Sequence, residues 1–431
     1  MTDAPLIVML AGGSNSRFWP LQGKSLVRFL GRTLIEHQLD AFFAAGCEDA
    51  VIVANPETEA DVRAVTSPYG ERVTIAIQVE PRGMGDAVLV AAEAAGERLR
   101  GRALLVTQAH DVVDASIYRS VLAEMDGSTD GALAGQEVAE YFPGGYLALQ
   151  GDRVMAVVEK PPPGSEPSRY VSFVVHLHKR PALLLDAIRQ TYTSENTRDD
   201  HYERALTVLC GNLRYRLVPY QDIWQPIKYP WHVLEAMRIF LDRIPPRDGS
   251  PVDGVTGNVI MEPGVRVLPG AHIVGPAYIG ANTLIGTGAL VRGAMIGSNC
   301  EIGYGCEVAR SYVGDTCVLH HNYVGDSVLE GRIGLGFGTV TGNWPFYPPP
   351  VRTTVDGERV RTDMEKFGAI IGAGCRTGIG VLLNPGTKVG RDTYIGPGVI
   401  VNRDIRAGQL LLAKQELIER ENPFTRHGDE G

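Results

Sequence analysis

The sequence predicts an α/β domain followed by a three-sided prism of short strands, two architectures in one chain. Three observations carry this. Strand-like and helix-like stretches alternate through the first half, an aliphatic residue recurs every six positions through the second, and of the 51 glycines in 431 residues only 19 lie in 1–250 while 32 lie in 251–431. At roughly 150 residues per domain, the length itself asks for two or three domains. The 41 basic and 50 acidic side chains leave a net charge of −9. No overall positive field exists to hold nucleic acid or a membrane surface, and any phosphate must be bound locally.

In chain order, Leu6 to Leu10 is a short apolar run suited to a strand buried on both faces, broken at Ala11-Gly12-Gly13. Leu34 to Ala45 carries apolar residues at helical spacing, closes with Gly46 and leads into the strand Ala50 to Ala54. Strands at Val73 to Val79 and Ala103 to Thr107, with a helix from Asp86 to Leu99 between them, extend the pattern to a mainly parallel, doubly wound sheet. Ligands sit beyond the strand carboxyl ends of such sheets, which directs attention to Gly12-Gly13-Ser14-Asn15-Ser16-Arg17 and to Lys24. Glycines let backbone amides approach phosphate oxygens, and the arginine and lysine can both reach a triphosphate or pyrophosphate. Taken alone, a glycine pair after a strand reads equally as a simple turn.

Three later motifs join it: Gln78-x-x-Pro81-x-Gly83-Met84-Gly85, Val106 to Asp111, and Val158-Glu159-Lys160-Pro161. In this order they resemble the sugar-1-phosphate nucleotidylyltransferases, over residues 6–243. The resemblance implies a Rossmann-like nucleotidyltransferase domain. In it Gly12, Gly13, Ser16 and Arg17 hold the nucleotide phosphates, Lys24 the phosphates in the transition state, and Gln78 and Gly83 the base. Asp111 holds magnesium, and Gly145, Glu159 and Lys160 hold the sugar phosphate. The chain departs from the pattern at Asn15 in place of a third loop glycine and at His110 before the metal aspartate. Phe173 stands where the family leaves space beside the sugar, and Pro226 stands where Trp-x-Asp supplies a second metal ligand. An active nucleotidylyltransferase therefore competes with a domain that only binds a nucleotide or supports the fold.

A helix from Trp231 to Arg243 closes the first domain (1–243), and the proline-rich segment 244–252 reads as a linker. From there Val255, Met261, Val267, Ile273, Ile279, Ile285 and Val291 are six apart; the spacing returns at Ile296, Ile302 and Val308, and again from Ile371 through Thr377, Leu383, Val389 and Ile395 to Val401. One inward aliphatic per six residues builds a prism over 253–412, three repeats to a coil. An ordinary sandwich, with alternation and variable loops, does not explain the constant six. The prism resembles the left-handed parallel β-helix of hexapeptide-repeat acyltransferases, which implies a homotrimer. One large break runs from Thr341 to Gly368. Around it, His320-x-x-Tyr323-x-Gly325-Asp326 and Gly336-x-Gly338-Thr339-x-Thr341-x-Asn343 resemble the acetyltransferase half of the bifunctional enzymes that make UDP-N-acetylglucosamine. By that resemblance His320 is the general base, Tyr323, Asn343 and Lys366 bind the acceptor, and Ile379, Gly396 and Lys414 bind acetyl-CoA or another acyl-CoA.

A neutral histidine suits the proton an amine loses on attacking a thioester; a lone one, outside such a motif, is more often core or solvated surface. His321 reads as structural, and Cys317 lacks the base spacing that covalent acyl transfer needs. Arg310, Arg352 and Lys366 are candidates for an acceptor phosphate, and Trp344 to Pro350 adds aromatic surface. Six scattered cysteines without a paired motif, and no signal-like or spanning apolar run, point to a cytoplasmic protein. The segment 413–431 reads as a polar tail. Besides the bifunctional transferase, an acyltransferase with a degenerate first domain and a non-catalytic trimer that senses nucleotide or sugar phosphate both remain open.

Overall fold

The computed structural model describes residues 4–13, 16–193, 200–246 and 252–423. Ser14, Asn15, much of the linker and the end of the tail lie outside the described residues. Leu6–Leu10, apolar at every position and wholly buried, sits inside a nine-stranded sheet. The spatial order is Val73–Ile77, Ala50–Ala54, Leu6–Leu10, Leu104–Gln108, Tyr170–His178, Gly131–Glu137, Tyr215–Tyr220, Arg153–Glu159 and Gly145–Gln150. The first four strands are parallel. The expectation of a mainly parallel sheet fails beyond them: of the remaining pairings only Gly131–Glu137 with Tyr215–Tyr220 is parallel. Arg153–Glu159 folds straight back on Gly145–Gln150 as a hairpin, with no crossover helix to keep it parallel.

Alternate strand residues feed two cores. Leu6, Val8 and Leu10 pack with α3 (Gly83–Ala95), α5 (Pro181–Tyr192) and α6 (His201–Asn212), while Ile7 and Met9 pack with α1 (Leu34–Ala44), α2 (Glu59–Thr66) and α4 (Ser116–Leu122). Helix α1 starts where Thr33 accepts from the Glu36 amide and Glu36 reaches back to the Thr33 N–H, a reciprocal cap. Helix α3 starts at Gly83 rather than at Asp86, and Gly85 is buried against Ile188 and Tyr192, a packing role rather than a ligand-facing one.

The second half is the prism. Its three parallel sheets hold eight, seven and eight short strands. The six-residue aliphatics stack in register down its interior: Val255, Ile273, Val291, Val308, Val324, Thr341, Leu383 and Val401 form one row. A second runs from Met261 through Ile279, Ile296, Val313, Leu329 and Ile371 to Val389. The insertion after Thr341 carries a hairpin, Arg352–Val355 with Glu358–Arg361, and returns when the Phe367 N–H donates to the Asn343 carbonyl at 2.9 Å.

The halves meet through one apolar cluster. Helix α7 (His232–Asp242) places Leu234, Met237 and Phe240 against Phe18, Phe29 and Leu34 of the first domain, Tyr278, Met295 and Tyr312 of the prism, and Val351 and Phe367 of the insertion. Phe29 stacks on Phe240 with centroids 4.8 Å apart. Polar contacts secure the rim: the Gln22 N–H donates to Glu330 Oε1 at 2.8 Å, and the Gln22 side chain meets Arg391. Lys388, 4% exposed, lies 4.9 Å from the Trp19 ring, pairs with Asp404 at 3.5 Å and donates to the Thr354 carbonyl.

Candidate functional site

Two sites follow, one in each half. The first is a cleft of about 390 Å³ beyond the carboxyl ends of the first-domain strands, joined through Met84, Gln108 and His110 to a smaller hollow under Gly12 and Gly13. The hollow gathers Gly12, Gly13, Gln78 and Gly83. Gly12 matters by its size, since a Cβ there would lie 3.3 Å from Gln78 Oε1 and 3.4 Å from the Ala54 carbonyl. Gly83 has φ 89°, a conformation glycine adopts freely. The Gln78 amide donates to the Gly83 carbonyl (3.0 Å) and Asp86 Oδ2 (2.9 Å), so those donors are spent on shaping the hollow.

The larger cleft brings together Arg17, Lys24, Asp111, Gly145, Glu159 and Lys160. Ser16 precedes Arg17 in one helical turn, Ser16–Phe18. Gly145 lies across from Glu159 in the hairpin, and a Cβ there would lie 3.2 Å from Glu159 Oε2, so the glycine makes room for the carboxylate; Glu159 pairs with Lys160 at 2.9 Å. Burial lowers the Lys24 pKa to about 8; Arg17 pushes it the same way and Asp111 opposes. His110 is held neutral by burial, its pKa down to about 3. Phe173 is 2% exposed, lines the cleft next to Ser172 and stacks on Trp224 with centroids 5.1 Å apart.

The second site is on a prism corner. The His320 N–H donates to Asn322 Oδ1 at 2.5 Å, and buried Asn322 donates to the carbonyls of Gly336 (2.8 Å) and Thr339 (3.2 Å), which fixes the turn that presents the exposed imidazole. Beside it Asn343 donates to the Tyr323 hydroxyl (3.1 Å) and to Asp326 Oδ2 (2.5 Å). Asp326, 1% exposed, also accepts both arms of Arg310 at 2.7 Å each, so Arg310 is committed to a carboxylate rather than free for an acceptor phosphate. Lys366 is exposed near the foot of the insertion, 5.6 Å from the half-exposed Trp344 ring.

Up the same corner the Gly338 N–H bonds the His321 carbonyl and the Gly380 N–H bonds that of Phe337, so Ile379 stands two coils above His321, about 10 Å at the usual strand spacing. Ile379 is 63% exposed; the Gly396 N–H is taken by the Leu411 carbonyl, and Lys414 is exposed beyond the last strand. The ring of His321 stacks between Tyr304 and Phe337. Cys317 is fully buried, its thiol pKa pushed up chiefly by Cys300, then by burial, and it is no nucleophile for this surface.

Compared with known proteins, residues 6–225 match the nucleotidyl transferase family. The chain belongs to that family. It is similar to the bifunctional protein GlmU of Methanococcus vannielii, 28% identical over 386 residues that cover 87% of this chain and 89% of that one. A bifunctional sugar-1-phosphate nucleotidylyltransferase/acetyltransferase of Sulfurisphaera tokodaii is 28% identical over 86% of this chain and 91% of its own. Both similarities run through the cleft and the prism corner alike.

Sequence reading of this nucleotidyl transferase missed Lys228, which lines the cleft with its ammonium 4.2 Å from the Phe142 ring centre. It also missed Asn322 and Asp326 as the groups that hold the second site together; both lay inside the quoted motif, and only their burial shows their work. Magnesium can be tested on the residues present. Asp111 Oδ2 accepts from the Trp224 indole N–H at 3.1 Å, leaving Oδ1 buried without a partner. The strand residue opposite Asp111 is Pro226, which has no side-chain ligand. Lys24 and Lys228 lie close enough to oppose the burial that raises the Asp111 pKa to about 6. Among the described residues no three of His, Cys, Asp and Glu gather as a metal site. With Pro226 opposite it, Asp111 offers one buried carboxylate oxygen and no second ligand from that strand, too few to hold a magnesium ion without substrate phosphates and water.

Proposed function

We propose that the chain is a bifunctional transferase: its first half joins a nucleoside triphosphate to a sugar-1-phosphate, and its prism acetylates an amino-sugar phosphate from acetyl-CoA or another acyl-CoA. The product class is a nucleotide sugar such as UDP-N-acetylglucosamine. What carries this reading is that one chain holds both ordered site constellations, and that relatives with bifunctional names cover both.

In the cleft, a sugar-phosphate oxygen attacks the α-phosphorus of the triphosphate, the new P–O bond forms, and the bond to pyrophosphate breaks. Arg17, Lys24 and the amides around Gly13 need only align the reactants and stabilise charge that shifts among phosphate oxygens. No covalent nucleophile is required, and no step is assigned to a metal. At the prism corner, the amine nitrogen attacks the thioester carbonyl and His320 accepts the proton. The tetrahedral intermediate then expels the thiolate, which takes a proton to leave as free coenzyme A. Tyr323 and Asn343 would position the acceptor, with Lys366 toward its phosphate; Ile379 and Gly396 would line the acyl-carrier arm, with Lys414 toward its phosphates. We place three copies around the prism axis, on family resemblance. The substrates and six buried, unpaired cysteines suit the cytoplasm, and among the described residues no helix is long and apolar enough to cross a membrane.

Pyrophosphate release across a panel of nucleoside triphosphates and sugar phosphates tests the first half. None across the panel, with thiol release from acetyl-CoA intact, leaves the acyltransferase reading, which Pro226 favours. Thermal shifts with ligand but neither turnover would make the chain a binding trimer. His320→Ala is expected to lower thiol release by about 10²- to 10⁴-fold with pyrophosphate release unchanged.

A further inference from the structure

The Asp111 end of the cleft carries an ammonium that no motif marked. Lys228 lies two residues past the strand Trp224–Pro226, whose pairing with Asp111–Val113 sets Pro226 opposite Asp111. It shares the cleft with Arg17, Lys24 and Lys160. Lys160 is engaged with Glu159 at 2.9 Å, whereas Lys228 makes no direct ion pair among the described residues; its ammonium lies 4.2 Å from the Phe142 ring centre, with Asp111 and Glu159 near enough to attract it. At the position where a second carboxylate would complete a metal site there is thus a proline, and beside it a fixed positive charge facing the cleft.

We propose that Lys228 supplies as fixed charge what a divalent cation would otherwise supply: with Arg17 and Lys24 it binds the phosphate chain of a nucleoside triphosphate without a metal ion. This rests on the reading that the first half takes a nucleotide. Burial strips hydration from Lys24 and Lys228 and Arg17 repels both, a standing cost in the empty protein that Asp111 offsets only in part. The lowered pKa of Lys24 and of Lys228, each caused first by burial, is the signature of that cost. A polyphosphate relieves it, because each ammonium then makes charge-assisted hydrogen bonds in a low-dielectric site.

Isothermal titration of the full chain with ATP, GTP, CTP, UTP and dTTP, in EDTA and in magnesium chloride, decides the matter. For whichever triphosphate binds, the wild-type affinity in EDTA is expected to lie within about threefold of that in magnesium. Lys228→Ala should lose about tenfold or more in EDTA, and Lys228→Arg should stay near wild type. Thiol release from acetyl-CoA by the same preparations reports that each variant is folded. Wild-type binding that requires magnesium, or a Lys228→Ala variant that binds normally in EDTA, overturns the proposal while leaving the nucleotide reading intact. Failure of every triphosphate in both buffers overturns the nucleotide reading, and the proposal with it.

Discussion

Asn322 touches no proposed substrate, yet it determines where His320 stands, because its side chain bonds the His320 amide on one side and the Gly336 and Thr339 carbonyls on the other. Asn322→Ala leaves the buried Thr339 carbonyl without its donor, while the Gly336 carbonyl keeps the Thr339 N–H at 3.1 Å. It is expected to cost about 1–3 kcal/mol of stability and to lower kcat for acetyl transfer more than it changes KM, as read by denaturant melts and thiol release. Asp111 shows the opposite balance between stability and function. Burial raises its folded pKa to about 6, above the ordinary 3.8, so the native state holds the proton more tightly than the unfolded chain. That destabilisation is absent below pH 3.8 and complete above pH 6. Asp111→Asn should therefore raise stability at pH 8, by an amount on the order of 3 kcal/mol, with the gain fading as pH falls through that window. A third residue-scale expectation concerns Lys24, whose pKa of about 8 means its charge is lost as pH rises through that value. Triphosphate affinity should weaken between pH 7 and 9 in titration calorimetry, and Lys24→Arg should flatten the profile.

Among the elements, the prism was the most legible in sequence, since an inward residue every sixth position fixes both the strand and the row it joins: Ile279, Ile296 and Val313 fall on one row although the coils there are a residue shorter. The parallel strands Leu6–Leu10 and Ala50–Ala54 were equally plain, being apolar and buried at every position. The antiparallel strands were not, because Gly145–Gln150 and Arg153–Glu159 are only partly buried and their pattern carries no direction. Lys228 was invisible for a different reason. A lysine past a broken motif reads as solvated surface until the fold turns it against Phe142. The glycine surplus of the prism has a steric cause that Gly280 makes concrete: a Cβ there would lie 2.5 Å from the Gly297 carbonyl carbon of the next coil. Gly280→Ala must push two coils apart. Its cost, about 1–3 kcal/mol, should appear in the melting temperature and leave both turnover numbers unchanged.

At the scale of the whole molecule, the insertion that carries Lys366 and the turn that carries Arg17 share one apolar cluster through Phe367, Val351 and Phe18, with α7 between them. Removing a ring from its centre tests whether the halves unfold as one. Phe240→Ala, which empties the stack on Phe29, is expected to cost about 3–5 kcal/mol. A single calorimetric transition should move down intact, where independent domains would give a shoulder that does not move. Lys388 adds a polar tie at the same junction, reaching Trp19, Thr354 and Asp404 from three different parts of the chain. The wedge formed by α7 has a practical consequence for anyone dissecting the two activities. A protease cut or a gene truncation between residues 246 and 252 would leave each fragment with a bare greasy flank, Trp231 to Leu241 on one and Tyr278 with Tyr312 on the other, inviting precipitation. The two proposed reactions must be silenced one at a time by point substitution within the intact chain.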